Sequence, residues 1–193
     1  MIELLEKIVL HSSDFMKNKN LQNLLILTAI KADRSRVMDY INRLDNFDGD
    51  ELAEIALDDK YQLYDEAFAI YKKVGDHEKA AQVLLRNIRN IKACIEFAEK
   101  INNPQVWSRV GTAQLDEGMV REAIESYCKA NDPGQYMRVI TASEGQDAYV
   151  ELIKYLRMAR ETMKDSMIDG ELVFALAKTG QTNDIEDFIN GSN

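Results

Sequence analysis

One segment of this chain is written twice. Glu66–Asp76 and Glu122–Asp132 lie fifty-six residues apart, and at that offset Glu66, Ala67, Tyr71, Lys73, Asp76 and Val83 meet Glu122, Ala123, Tyr127, Lys129, Asp132 and Val139. A fainter copy lies between them, with Ala93 and Phe97 in the Ala and Tyr places and Asn103-Pro104 at the turn. The Ala marks at 67, 93 and 123 give a unit of about 30 residues. A unit this short cannot bury its own apolar face, so units of this kind stack on their neighbours. Tyr71 and Tyr127 are expected in the core of each unit.

The unit is helical. Apolar residues recur at helical spacing throughout, and no segment alternates with period two over a useful length. Glycine and proline are scarce, with 9 Gly and 2 Pro in 193 residues. Ile2–Leu10 carries an apolar stripe at 2, 4, 5, 8 and 9. It starts with neither cap nor lead-in, as expected of a fragment cut from a longer chain. Leu21–Ala32 is apolar on most faces and should be the most buried helix of its half. Asp33 is expected to cap a helix carrying Val37, Met38, Tyr40, Ile41 and Leu44. Asn46–Gly49 reads as a turn, Asp50–Leu57 as a short helix, and Gln62–Val74 as the helix of the organising segment. Leu63, Ala67, Ile70 and Tyr71 form its inner stripe. Gly75 is the expected left-handed C-cap and Asp76 the next N-cap, before Ala80, Ala81, Val83, Leu84 and Ile88.

The second half repeats the pattern. Ile91, Cys94, Ile95 and Ala98 form a stripe, and Asn103-Pro104 opens a helix with Val106, Trp107, Val110 and Leu115 that Gly118 stops. Met119–Ala130 follows. Asp132 with Pro133 is expected to open a helix burying Tyr136, Met137, Val139 and Ile140. Tyr149–Lys164, burying Leu152, Ile153, Leu156, Ala159 and Met163, is expected to be the longest helix. Leu172, Val173, Leu176 and Ala177 lead to Gly180, and Ile185, Phe188 and Ile189 end the pattern. About thirteen short helices result, joined by turns that force neighbours antiparallel. The expected architecture is all-α, a single elongated α-solenoid over residues 1–193.

Composition excludes several functions. A net charge of −9 argues against nucleic acid as a partner. Cys94 and Cys128 have no metal-site spacing, lie on inner stripes, and suit a reducing cytosol as buried thiols. His11 and His77 stand alone at helix boundaries. Asp45, Asp48 and Asp50 around Gly49 fail as a calcium loop, because the first and twelfth positions would be Leu44 and Ile55. The longest purely apolar run, Leu24–Leu27, is too short to span a membrane. Trp107 sits in a core stripe and reads as packing. Lys154, Arg157, Arg160 and Lys164 form a basic stripe that reads as a solvated face balanced by Glu151 and Glu161; the alternative is contact with an acidic surface. No catalytic, cofactor-binding or metal residues are expected.

Several stretches resemble the clathrin heavy-chain family: Ile2–Leu10, Asn20–Asp33, Arg36–Phe47, Glu66–Ile70, Val106–Ser108, Glu122–Ile124 and Phe174–Lys178. The resemblance covers essentially the whole chain; Asp58–Leu63 is slightly longer than the family pattern, and Lys79–Ile101 diverges more than its flanks. It implies a right-handed solenoid, a segment of the heavy-chain leg near the junction of its distal and proximal parts. It implies a structural, non-enzymatic role in the lattice of coated pits and vesicles, in endocytosis and vesicle transport. The implied partners are other heavy-chain legs and, mostly outside this segment, light chain. The implied location is the cytoplasm, on the cytoplasmic face of coated membranes that are reached only through adaptors. The alternative is a peptide- or protein-binding solenoid of a vacuolar-sorting tether subunit.

Overall fold

In the computed structural model, residues 2–11 and 15–191 are described. They form thirteen α-helices and one 3-10 turn, with no strand among them. The chain divides into two compact units, residues 1–90 and 91–193.

The first unit holds α1 (Ile2–His11), α2 (Lys19–Ala32), α3 (Val37–Arg43), α4 (Gly49–Leu57), α5 (Tyr64–Val74) and α6 (His77–Arg86). Each helix packs on its neighbours one or two places along the chain, as α1 on α2, α2 on α3 and α4, α5 on α3, α4 and α6. α2 buries Gln22, Leu25, Ile26, Ala29 and Ile30, more than any other helix of this unit. The second unit holds α7 (Ile91–Ile101), α8 (Pro104–Asp116), α9 (Val120–Ala130), α10 (Tyr136–Gly145), α11 (Tyr149–Thr162), α12 (Ser166–Lys178) and α13 (Thr182–Gly191). Consecutive helices pack throughout, and α9 also packs on α11. This is the all-α, helix-on-helix build of an α-solenoid.

The doubled segment repeats in geometry as well as in letters. Gly75 and Asn131 both adopt left-handed backbone, φ 83° and 50°. Each closes its helix with the same pair of bonds. The Gly75 and Asp76 amides donate to Lys72 and Tyr71 carbonyls, and the Asn131 and Asp132 amides donate to Cys128 and Tyr127 carbonyls. Ala67 and Ala123, Tyr71 and Tyr127, and Val83 and Val139 are all buried. In the fainter copy Phe97 is buried, but Ala93 is only half-buried and Cys94 takes the inner place. The stripe there has turned by one residue.

Some expectations fail for local reasons. Leu4 is 64% exposed, so the α1 stripe is narrower than its apolar spacing. Asp33 does not cap a long helix; it opens the 3-10 turn Arg34–Arg36 and accepts from the Ser35 hydroxyl instead. α5 starts at Tyr64, because Gln62 takes left-handed backbone (φ 52°) and Leu63 becomes the cap. Leu63 and Ile88 are half-buried. α10 starts at Tyr136, because the Asp132 carboxylate accepts from the Gly134 amide at 2.9 Å and folds residues 132–135 into a turn. Met137 is 53% exposed, and Ala177 is exposed while Ala175 is buried. α11 ends at Thr162, short of Lys164, and at 14 residues it matches α2 rather than exceeding it. The side chain of Ile189 lies outside the described residues.

Candidate functional surfaces

Arg157 and Arg160 of the basic stripe are paired with acids, though not with those nearest in sequence. Arg157 pairs with Asp184 of α13, and Arg160 Nε lies 3.1 Å from Asp169 of α12. The Arg160 guanidinium also sits 4.3 Å over the Phe188 ring. Glu151 turns the other way and pairs with Arg121 of α9 at 3.2 Å. These are half-exposed pairs, each contributing about 1 kcal/mol or less. Arg157, Arg160, Asp184 and Phe188 line a cleft of about 590 Å³ with Leu172 and Leu176. Its arginines are already matched by acids, so it presents no uncompensated charge to an anion.

The residues with reactive chemistry are packed away. Cys94 is buried, and burial pushes its thiol up to about 12; burial also raises the half-buried Cys128. Neither is a thiolate at neutral pH. Trp107 is buried, with Lys129 Nζ 4.1 Å from its ring centre. His11 is the exposed last residue of α1, and His77 is the first residue of α6 behind the Asp76 cap, which accepts from the Lys79 amide. Among the described residues no three His, Cys, Asp or Glu side chains group to hold a metal ion. No helix among them is long and apolar enough to cross a membrane.

What the helices do share is a set of side-chain ties across their ends. Lys73 Nζ donates to the Ile41 and Asn42 carbonyls at 2.6 and 3.1 Å, closing the C-terminus of α3 from α5. Arg34 donates to the Lys60 and Tyr61 carbonyls and stacks on the Tyr61 ring, pinning the long turn after α4. Gln22 donates to the Met16 carbonyl and accepts from the Asn46 amide. Gln146 donates to the Gly118 carbonyl, and the Tyr155 hydroxyl to the Asp132 carbonyl. Each tie satisfies main-chain groups that a helix end or turn leaves open. Sequence reasoning missed them, since a lysine that spans a helix end reads the same as one in solvent. A second, apolar cleft of about 440 Å³ lies over Leu115, Met137, Thr141 and Ala142, with Arg138 at its rim paired to Asp116.

A family model described as the region in clathrin and VPS proteins matches residues 1–122 and 127–193. The chain belongs to this clathrin/VPS repeat family. Its similarity to clathrin heavy chains runs end to end. It is 52% identical over 193 residues to the clathrin heavy chain of Drosophila melanogaster, covering all of this chain and 11% of that one. It is 54% identical over 189 residues to clathrin heavy chain 1 of Arabidopsis thaliana, covering 98% of this chain and 11% of that one. It is 50% identical over 193 residues to clathrin heavy chain 2 of Homo sapiens, covering all of this chain and 12% of that one. The chain thus spans about a ninth of the length of these clathrin relatives.

Proposed function

We propose that the chain serves as a leg segment of a clathrin coat, a structural element that carries geometry along the heavy chain and packs beside other legs in the lattice. The observation that carries this reading is identity of 50% or more to heavy chains along the full segment. The ties across helix ends support it, because they hold each helix in register with the next and so let a stack transmit bending. In this reading the 30-residue units run on as one elongated rod over residues 1–193, the role is not catalytic, and the site is cytoplasmic, on the coated face of pits and vesicles. The partners are other heavy-chain legs. Light chain binds mostly elsewhere on the leg, and membrane is reached through adaptors. A sorting-tether subunit shares the same repeat family, so the repeat alone does not separate the two; the full-length identity to heavy chains favours the coat.

The test is to excise α8 and α9 (residues 104–130) from a full-length heavy chain carrying this segment. Trimers should form at normal yield, while cages seen by electron microscopy should be lost or altered in size. Cages of unchanged yield and diameter would refute a geometric role.

A further inference from the structure

Asp76 and Asp132 hold the same place in the repeat, and the two copies part just there. Behind Asp76 the helix begins at once. The Asp76 carboxylate accepts from the Lys79 amide and its carbonyl from the Ala80 amide, each at 3.0 Å. These are the two bonds of an ordinary helix start. Fifty-six residues on, the matching amides are those of Gln135 and Tyr136. The Asp132 carboxylate accepts instead from the Gly134 amide and the Ser108 hydroxyl, and its carbonyl from the Tyr155 hydroxyl at 3.0 Å. The Tyr136 amide turns to the Pro133 carbonyl at 3.3 Å. Two hydroxyls, from α8 and α11, thus stand in for the helical partners that serve the other copy. The positions fifty-six residues before Ser108 and Tyr155 are Leu52 and Glu99, and neither side chain carries a hydroxyl.

Local preference in this segment is divided. Asp132-Pro133 opens a helix well, since proline at the first position has its φ set in advance and no amide to leave unpaired. Gly134 weighs the other way, because glycine loses the most freedom in a helix and suits a turn. We infer that residues 132–136 are a two-state element: a turn while the Ser108 and Tyr155 hydroxyls hold Asp132, and the first turn of a longer α10 when they release it. In the second state α10 begins at Pro133 and takes in Gly134 and Gln135. The Asp132 carbonyl passes from the Tyr155 hydroxyl to the Tyr136 amide, so it keeps an acceptor's partner in both states. An exchange of like bonds keeps the two states close in energy. Tyr155 belongs to α11, which packs on α9, so sliding of α11 along α9 withdraws the hydroxyl and sets the state. Tyr136 also ties α10 to the Asp165 cap of α12 at 2.8 Å, so the change reaches two helices along the chain. The switch lies within one chain and stands or falls apart from the coat reading.

The experiment is backbone NMR of the intact chain and its variants. Ser108→Ala and Tyr155→Phe each remove one hydroxyl. In both, the Cα shifts of Pro133, Gly134 and Gln135 should move to helical values, and the Tyr136 amide should exchange about tenfold more slowly. Tyr127→Phe removes a hydroxyl that bonds Thr112 rather than Asp132, and it should leave the segment as it is. Adding Asp132→Ala to either hydroxyl variant should take the helical shifts away, because the cap is gone. Unchanged shifts in the two hydroxyl variants overturn the switch. So do random-coil shifts with faster amide exchange, which would make the hydroxyls plain loop anchors. The same change in Tyr127→Phe also overturns it, since the cause would then be a loosened core. Each hydroxyl variant decides alone if the other does not fold, and failure of both to fold overturns the switch, because its second state is a folded one.

Discussion

Gly111 in α8 faces the ring of Tyr127 in α9, and the two helices pack along that line. Replacing it by alanine sets two effects against each other. An alanine inside a helix is favoured over glycine by about 0.5–1 kcal/mol. The new Cβ, however, would lie 2.9, 3.0 and 3.1 Å from Cδ1, Cε1 and Cγ of Tyr127. That ring is fully buried, meets Tyr155 edge-on at 6.1 Å, and is fixed at its far end by a 3.1 Å hydrogen bond to Thr112. It has nowhere to swing, and overpacking of this kind costs about 1–3 kcal/mol. The clash wins, and Gly111→Ala should destabilise by about 1–2 kcal/mol, a Tm fall of roughly 2–8 °C for a chain of this size. Gly170→Ala meets no neighbour and should raise Tm by about 1–4 °C. Thermal melts of the pair read the opposite signs directly. Tyr127→Ala alone should cost about 3–5 kcal/mol, and in that background Gly111→Ala should become stabilising. A Gly111→Ala protein that melts as high as Gly170→Ala would refute the reasoning.

Three further outcomes follow from side chains described above or beside them. Asn103→Ala removes the acceptor for the Gln105 and Val106 amides at the start of α8. It should lower stability by about 1 kcal/mol in urea denaturation; an unchanged midpoint would count against the cap. Ser143 is fully buried in α10 with no partner for its hydroxyl. Ser143→Ala should therefore raise stability by about 1 kcal/mol, and a loss would mean that the hydroxyl is satisfied. The Asp165 carboxyl is held below its ordinary 3.8, first by the Met167 amide and then by the Tyr136 hydroxyl. A depressed carboxyl stabilises the fold above its unfolded pKa, and that contribution is lost as pH falls through the lower folded value. In an NMR titration Tyr136→Phe should move the Asp165 midpoint upward, and a midpoint that stays put would remove Tyr136 as a cause.

The repeat was legible because it rests on residue types with few other uses. Ala67 and Ala123 fit where helices approach closely, Gly75 takes a positive φ at no steric cost, and Asn103-Pro104 opens a helix in the expected way. Where the same geometry is imposed on ordinary residues, the pattern is silent. Gln62, Arg89, Asn102, Asn131 and Asp147 all adopt positive φ at helix ends, although none is glycine. Each left-handed residue costs about 1–2 kcal/mol, and packing of the flanking helices outweighs it. Asp76 and Asp132 hold the same place in the repeat, yet one caps a helix and the other folds a turn. The difference comes from tertiary neighbours, since the Ser108 hydroxyl donates to Asp132 and the Tyr155 hydroxyl takes its carbonyl. α12 misled for another reason: a helix apolar on both sides does not declare which side is inner, so Ala177 was expected where Ala175 lies. The surfaces were the least legible, because charge partners such as Arg157 and Asp184 come from helices far apart in sequence.

The packing of each helix on those next to it also sets the order in which the chain can form. Contacts this local give fast folding, in microseconds to milliseconds for helical units. Translation delivers about 5–20 residues each second, so a 30-residue unit takes roughly 1.5–6 s to emerge. Every helix pair therefore has time to pack on the unit before it long before the next is made. A nascent chain of this kind never trails more than about one unit of unburied apolar surface behind the ribosome, however many units follow.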